Sequence, residues 1–221
     1  AEDSTPETDS SASQDSQPAP LVLPDFQRIA AGSFEMGCTP EQERSGFCDW
    51  DEEPVRTVTL TRDFYLSATE ITQDQYQSLM GENPAYFYAC GGDCPVESVS
   101  WYQAARYANT LSELEGLEGC YTCSGEGETL SCEGSAEPYA CEGYRLPTEA
   151  EWEFAARCGE STLYAGSNSV HRAGWYWDNS NNTTHPVAQK SVNACGLYDM
   201  SGNVWEWVED WYDSGFYEHA P

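Results

Sequence analysis

Oxygen donors and cysteines are the residues of this chain with spacing that could do chemistry. The oxygen donors gather in Gly196-Leu-Tyr-Asp-Met-Ser-Gly-Asn-Val-Trp-Glu-Trp-Val-Glu-Asp-Trp211. Ser201-Gly202-Asn203 is a turn signal, and a turn can aim several backbone carbonyls at one point. Glu206 follows closely enough to add a carboxylate, and hard oxygen donors converging on a turn suit calcium. The spacing is equally that of core tryptophans with a solvated acidic face, which is the commoner use of such residues. An EF-hand is excluded: counting from Asp199, Val204 stands where the loop needs glycine and Asp210 where it needs the closing glutamate.

The ten cysteines are the second group. Cys120-x-x-Cys123 is followed by Cys132 and Cys141 as singletons, whereas a zinc ribbon would bring a second C-x-x-C pair. His171, His185 and His219 are far apart and form no H-E-x-x-H motif. Disulfides in an oxidising compartment are therefore preferred to zinc. The spacing suggests Cys120–Cys141 nested around Cys123–Cys132, short loops closed by Cys38–Cys48 and Cys90–Cys94, and Cys158 left for Cys195.

Thirty-eight acidic residues stand against nine basic ones, a formal charge of −29, and Lys190 is the sole lysine. Nucleic acid and anionic membrane surfaces would be repelled. No apolar run has the length of a membrane span. Residues 1–20 lack aromatics and bases and are rich in Ser, Pro, Asp and Glu, so they are expected to form a solvated acidic tether, with a lipid anchor upstream as one origin. Residues 21–221 are expected to form one domain.

The elements that must position these groups are short. Phe26 to Gly37 suggests two strands around the Ala31-Gly32 turn, Cys38 to Asp51 a loop, and Val55 to Leu66 a strand pair or one long strand. Capping boxes at Thr72/Gln75, Ser100/Gln103 and Thr148/Glu151 open three helices. Their expected inward residues are Tyr76, Leu79 and Met80, then Trp101, Ala104, Ala105, Ala108 and Leu111, then Trp152, Ala155 and Ala156. Ser161 to Lys190 reads as a long irregular connection, and Val204 to Trp211 alternates at period two like a strand. The class expected is α+β.

Six segments in order then resemble one family: Phe34-Glu-Met-Gly37, Ala68-Thr-Glu-Ile-Thr72, Pro95-Val-Glu-Ser-Val-Ser-Trp101, Tyr144-Arg-Leu-Pro-Thr-Glu-Ala-Glu-Trp-Glu-Phe-Ala-Ala-Arg157, Pro186-Val187 and Gly196 to Trp207. They look like the formylglycine-generating enzyme, or sulfatase-modifying factor, domain. The resemblance implies a C-type-lectin-like fold, low in regular secondary structure. It also implies a calcium site with Glu206 as side-chain ligand and Ser201, Gly202 and Val204 as backbone ligands, which makes calcium the favoured reading of the turn. The family's other calcium site matches only loosely here, at Asp178 or Asn179.

Enzymes of the family oxidise a sulfatase cysteine to formylglycine with oxygen and a copper ion held by two thiolates, and relatives use iron. The copper-binding cysteines follow an R-G-G-S-W segment that this sequence does not contain before Pro221. None of the ten cysteines takes the copper role by position, so copper would require a further C-terminal segment supplying two. Two functions follow. The first is an exported, monomeric, non-catalytic module, stabilised by calcium and binding a protein or peptide partner. The alternative is an oxidoreductase of the same family whose active-site segment lies beyond residue 221.

Overall fold

The computed structural model describes residues 21–135 and 138–215; the tether expected over 1–20 lies outside the described residues. Among the described residues, six short strands form three two-stranded antiparallel sheets, with five α-helices and four 3-10 turns between them. β1 (Phe26–Ile29) pairs with β4 (Phe64–Ser67), and β2 (Gly32–Met36) pairs with β3 (Arg56–Leu60). The two strands expected around Ala31-Gly32 therefore exist without forming a hairpin with each other. Val55 to Leu66 likewise divides between two sheets. β5 (Tyr121–Ser124) and β6 (Ser131–Gly134) form the third pair, with Cys123 opposite Cys132 and bonded to it.

All three expected helices form with both halves of their capping boxes made: α2 (Gln73–Met80), α3 (Trp101–Leu114) and α4 (Glu149–Arg157). In each, the cap hydroxyl accepts from the N3 backbone while the N3 side chain accepts from the cap N–H, satisfying two otherwise orphaned donors. The loop expected over Cys38 to Asp51 contains a fourth boxed helix, α1 (Pro40–Ser45), capped by Thr39 and Gln42. The same signal was present there in a short polar segment without an apolar face. A one-turn helix, α5 (Val170–Ala173), interrupts the otherwise irregular connection after α4.

Three small buried clusters replace a single large core. Ile29, Ala155, Ala156, Leu197 and Met200 join β1 and α4 to the turn stretch. Tyr76, Tyr107 and Leu111 pack α2 on α3, and Ala105, Ala108, Tyr121 and Leu130 surround the Cys120 and Cys132 sulfurs. Clusters this small bury little apolar surface each, so covalent staples take a larger share of the stability. The pairs Cys38–Cys48, Cys90–Cys94, Cys120–Cys141, Cys123–Cys132 and Cys158–Cys195 use all ten cysteines.

The frame around the turn is polar and specific. Arg145 grips Glu151 through two parallel bonds, Nη1 to Oε2 at 2.7 Å and Nη2 to Oε1 at 2.8 Å, and Glu151 is almost fully buried. A buried carboxylate is tolerable only with such partners. Asn193 donates to the carbonyls of Ala155 and Ala156 at the end of α4 and accepts from the N–H groups of Cys195 and Leu197. The end of α4 and the start of the Gly196 stretch are thus held by one side chain.

Candidate functional site

Asp199, Gly202 and Asn203 adopt left-handed backbone angles, with φ of 60°, 156° and 71°. The stretch folds back on residues 174–175, and only glycine allows the approach. A Cβ on Gly202 would stand 2.3 Å from the Trp175 carbonyl oxygen, and one on Gly174 would stand 2.1 Å from that of Ser201. Asn203 then locks the turn. Its N–H donates to Trp175 O at 2.8 Å, its Oδ1 accepts from His185 N at 3.0 Å, and its Nδ2 donates to Glu70 Oε2 at 2.8 Å and His185 O at 3.1 Å.

The turn is ringed by carboxylates. Glu70 is buried and accepts from Val204 N through Oε1 at 3.0 Å and from Asn203 through Oε2. Burial, then the neighbouring charges of Glu206 and Asp199, hold its carboxyl well above the usual range. Asp199 accepts from Ala188 N at 2.7 Å through Oδ2, while its Oδ1 is buried with no hydrogen-bond partner; burial raises its carboxyl too. Glu206 accepts from the Trp152 indole N–H at 2.7 Å. Glu206 is solvent-exposed on the wall of a concavity, and the loss of hydration on its protein side raises its carboxyl.

Ser201, Gly202 and Val204 lie in the turn and Glu206 two residues beyond it, its carboxylate on the Trp152 indole, and the turn atoms have partners of their own. Ser201 Oγ accepts from Ala165 N at 3.0 Å, and Gly202 O accepts from Val204 N at 3.1 Å. Sequence reasoning missed Glu70 and Asp199. Glu70 stood in one quoted motif and the turn in another, with nothing local to join them. Asp199 lay inside the stretch and was weighed only as the first position of an EF-hand.

The donor chemistry fits a hard divalent cation. Every candidate donor is oxygen, the buried carboxyls of Glu70 and Asp199 are held above their usual range by burial, and one buried carboxylate oxygen has no donor. Backbone carbonyls would supply much of the shell. Among the described residues, Cys38, Cys48 and Glu53 are the one set placing three ligand-type side-chain atoms within 4.8 Å of one another, and its two sulfurs are bonded to each other.

The expected strand from Val204 to Trp211 does not form: among the described residues no segment lies alongside to complete a ladder. Its groups are satisfied singly instead. Glu209 N donates to Pro147 O, Trp207 Nε1 to Val99 O, and Val208 O accepts from Trp101 Nε1. The tryptophans are therefore not core: Trp205 is 101% exposed and Trp211 92%. They border two concavities. One, of about 710 Å³, is walled by Tyr76, Tyr107, Leu111, Val204, Glu206 and Trp207; the other, of about 1230 Å³, lies beyond Ser201 toward α1, and Met200 and Trp205 line both. Tyr76 and Tyr107 stack with ring centroids 5.5 Å apart, and burial pushes the Tyr76 phenol up to about 12.

A family profile described as sulfatase-modifying factor enzyme 1-like domain matches residues 12–218. Chaperone protein LppX of Paenibacillus barcinonensis is 38% identical over 220 residues, covering 86% of this chain and 73% of that protein. The formylglycine-generating enzyme of Mus musculus is 28% identical, with 89% of this chain and 61% of the enzyme covered. Serine/threonine-protein kinase pkn1 of Chlamydia pneumoniae is 30% identical over a region that is 30% of its length. Among solved structures, Treponema denticola variable protein 1 superposes with a TM-score of 0.71 at 33% identity, covering 85% of this chain and 73% of that one.

Proposed function

Since the chain belongs to the sulfatase-modifying factor enzyme 1-like family, we propose that it is an exported, non-catalytic binding module of that family, whose turn at residues 199–206 is stabilised by calcium. The observation that carries this reading is the state of the cysteines: all ten are joined in five disulfides. Oxygen-dependent oxidation of a thiol at a copper centre needs soft, reduced thiolate ligands with an open coordination position. Sulfur locked in a disulfide offers neither. Five disulfides also favour an oxidising, extracytoplasmic compartment. No helix among the described residues is long and apolar enough to cross a membrane, and residues 1–20 serve in this reading as an acidic tether.

Calcium would be held by Glu206 with the carbonyls of Ser201, Gly202 and Val204, and by Asp199, whose Oδ1 otherwise lacks a partner. The ion would supply charge neutralisation and no chemistry. The chain's own residues do the positioning: Asn203 sets the turn, Gly174 and Gly202 permit the close crossing, and Glu70 holds the Val204 N–H. Similarity to a protein titled a chaperone supports a protein or peptide as the partner.

The oxidoreductase alternative draws support from similarity to the mouse formylglycine-generating enzyme. Copper(I) titration and incubation with a peptide bearing the C-x-P-x-R motif decide between them. The module reading expects no tight stoichiometric copper and an intact peptide thiol. Copper-dependent aldehyde on the peptide, abolished by replacing any cysteine of the chain, overturns it.

A further inference from the structure

We propose that the larger concavity, between α1, α4 and the segment after Val208, binds an extended Lys/Arg-rich segment of a partner protein. This rests on the reading of the domain as a binding module and names the chemistry of its partner. At about 1230 Å³ the concavity exceeds the roughly 300–1,000 Å³ of a small-molecule pocket. Its walls combine two features that recognise the same group. Phe47, Trp205 and Trp211 present aromatic surface, 60%, 101% and 92% exposed, and aromatic faces attract ammonium and guanidinium ions. Asp49, Asp51 and Asp213 line the same walls, and carboxylates pair with those cations.

Among the described residues that line the groove, the one basic side chain, Arg157, is already engaged, paired with Glu153 and donating to the Gly37 carbonyl. No positive charge is left there to welcome an acidic partner. A bare divalent ion is a poorer occupant, since among the described residues no three carboxylates of this groove bring oxygens within 4.8 Å of one another. Separated carboxylates match separated charges along a chain. A second copy of this protein, carrying the same −29, would be repelled.

The probe is a fluorescein-labelled octapeptide of alternating Arg and Gly, followed by anisotropy at about 150 mM salt, where the screening length is ~8 Å and distant charges count little. Any acidic protein attracts such a peptide, so the comparison lies between two triple variants that each remove three negative charges. D49N/D51N/D213N should lower affinity about tenfold, whereas E113Q/E115Q/E118Q, near the end of α3, should change it less than about twofold. Trp211→Ala should lower it about fivefold. Melting temperatures of the variants control for folding. Equal losses in the two triples, or no effect of Trp211→Ala, overturn the proposal and leave the non-catalytic reading standing, because that reading is judged separately by copper and aldehyde.

Discussion

Asn203 offers the sharpest test of how the turn is held. Its side chain makes three hydrogen bonds, to Glu70 Oε2 and to both the N–H and the carbonyl of His185, while its backbone sits at φ 71°. Asn203→Gly keeps the left-handed angle and removes the three bonds. At about 1 kcal/mol net for each, the loss is about 3 kcal/mol. Asn203→Ala removes the same bonds and places a Cβ in a region that disfavours it, for a further loss of about 1 kcal/mol or more. For a domain of this size 1 kcal/mol moves the melting temperature by ~2–4 °C, so the glycine variant should melt ~6–12 °C lower and the alanine variant lower again. Urea unfolding followed by tryptophan fluorescence, with and without chelator, gives both differences as free energies. The reasoning is refuted if Asn203→Gly stays within about 1 kcal/mol of the unmutated protein, or if alanine is the better tolerated of the two.

Calcium should raise the melting temperature, by ~5–11 °C at a hundredfold excess over its dissociation constant, which corresponds to about 2.7 kcal/mol; Glu206→Gln should shrink that rise, and a melting temperature indifferent to chelator would exclude a metal at the turn. Replacing Cys158 and Cys195 by alanine opens a loop of 37 residues and should cost about 4 kcal/mol of chain entropy, against about 2.6 kcal/mol for the 9-residue loop of Cys123 and Cys132, as paired calorimetric scans would show. Burial raises the carboxyls of Glu52, Glu70 and Glu153, so the folded state binds their protons more tightly than the unfolded state. Their contribution to stability is complete below the unfolded value of about 4.3 and is lost as pH rises through the folded values, so calcium-free protein should melt at a higher temperature near pH 5 than near pH 8. Glu153→Gln should flatten that slope, and a slope of the opposite sign would contradict it.

The features legible in the chain by itself are those closed by near neighbours. A cap hydroxyl and its N3 side chain are three residues apart, so Thr72, Ser100 and Thr148 announce their helices whatever packs on them. Cysteines a few residues apart have few ways to pair, and all five pairings read from spacing are present. Six ordered segments sufficed to indicate the family and hence the fold. Tertiary structure decided whatever needed a partner from afar. Alternation in Val204 to Trp211 reports what a strand would look like if another backbone lay beside it; none of the described residues does, and Trp205 and Trp211 face solvent in a groove instead of filling a core. Two strands joined by Ala31-Gly32 could have paired with each other, yet each pairs with a strand from the Arg56 to Ser67 region, because ladder partners are chosen by packing over the whole chain. Glu70 and Val204 stand 134 residues apart, and a bond from carboxylate to amide across that distance has no trace in local pattern. The turn was therefore visible in the sequence, while the arrangement of carboxylates near it, and the raised proton affinities that their burial produces, came into being only when the chain folded.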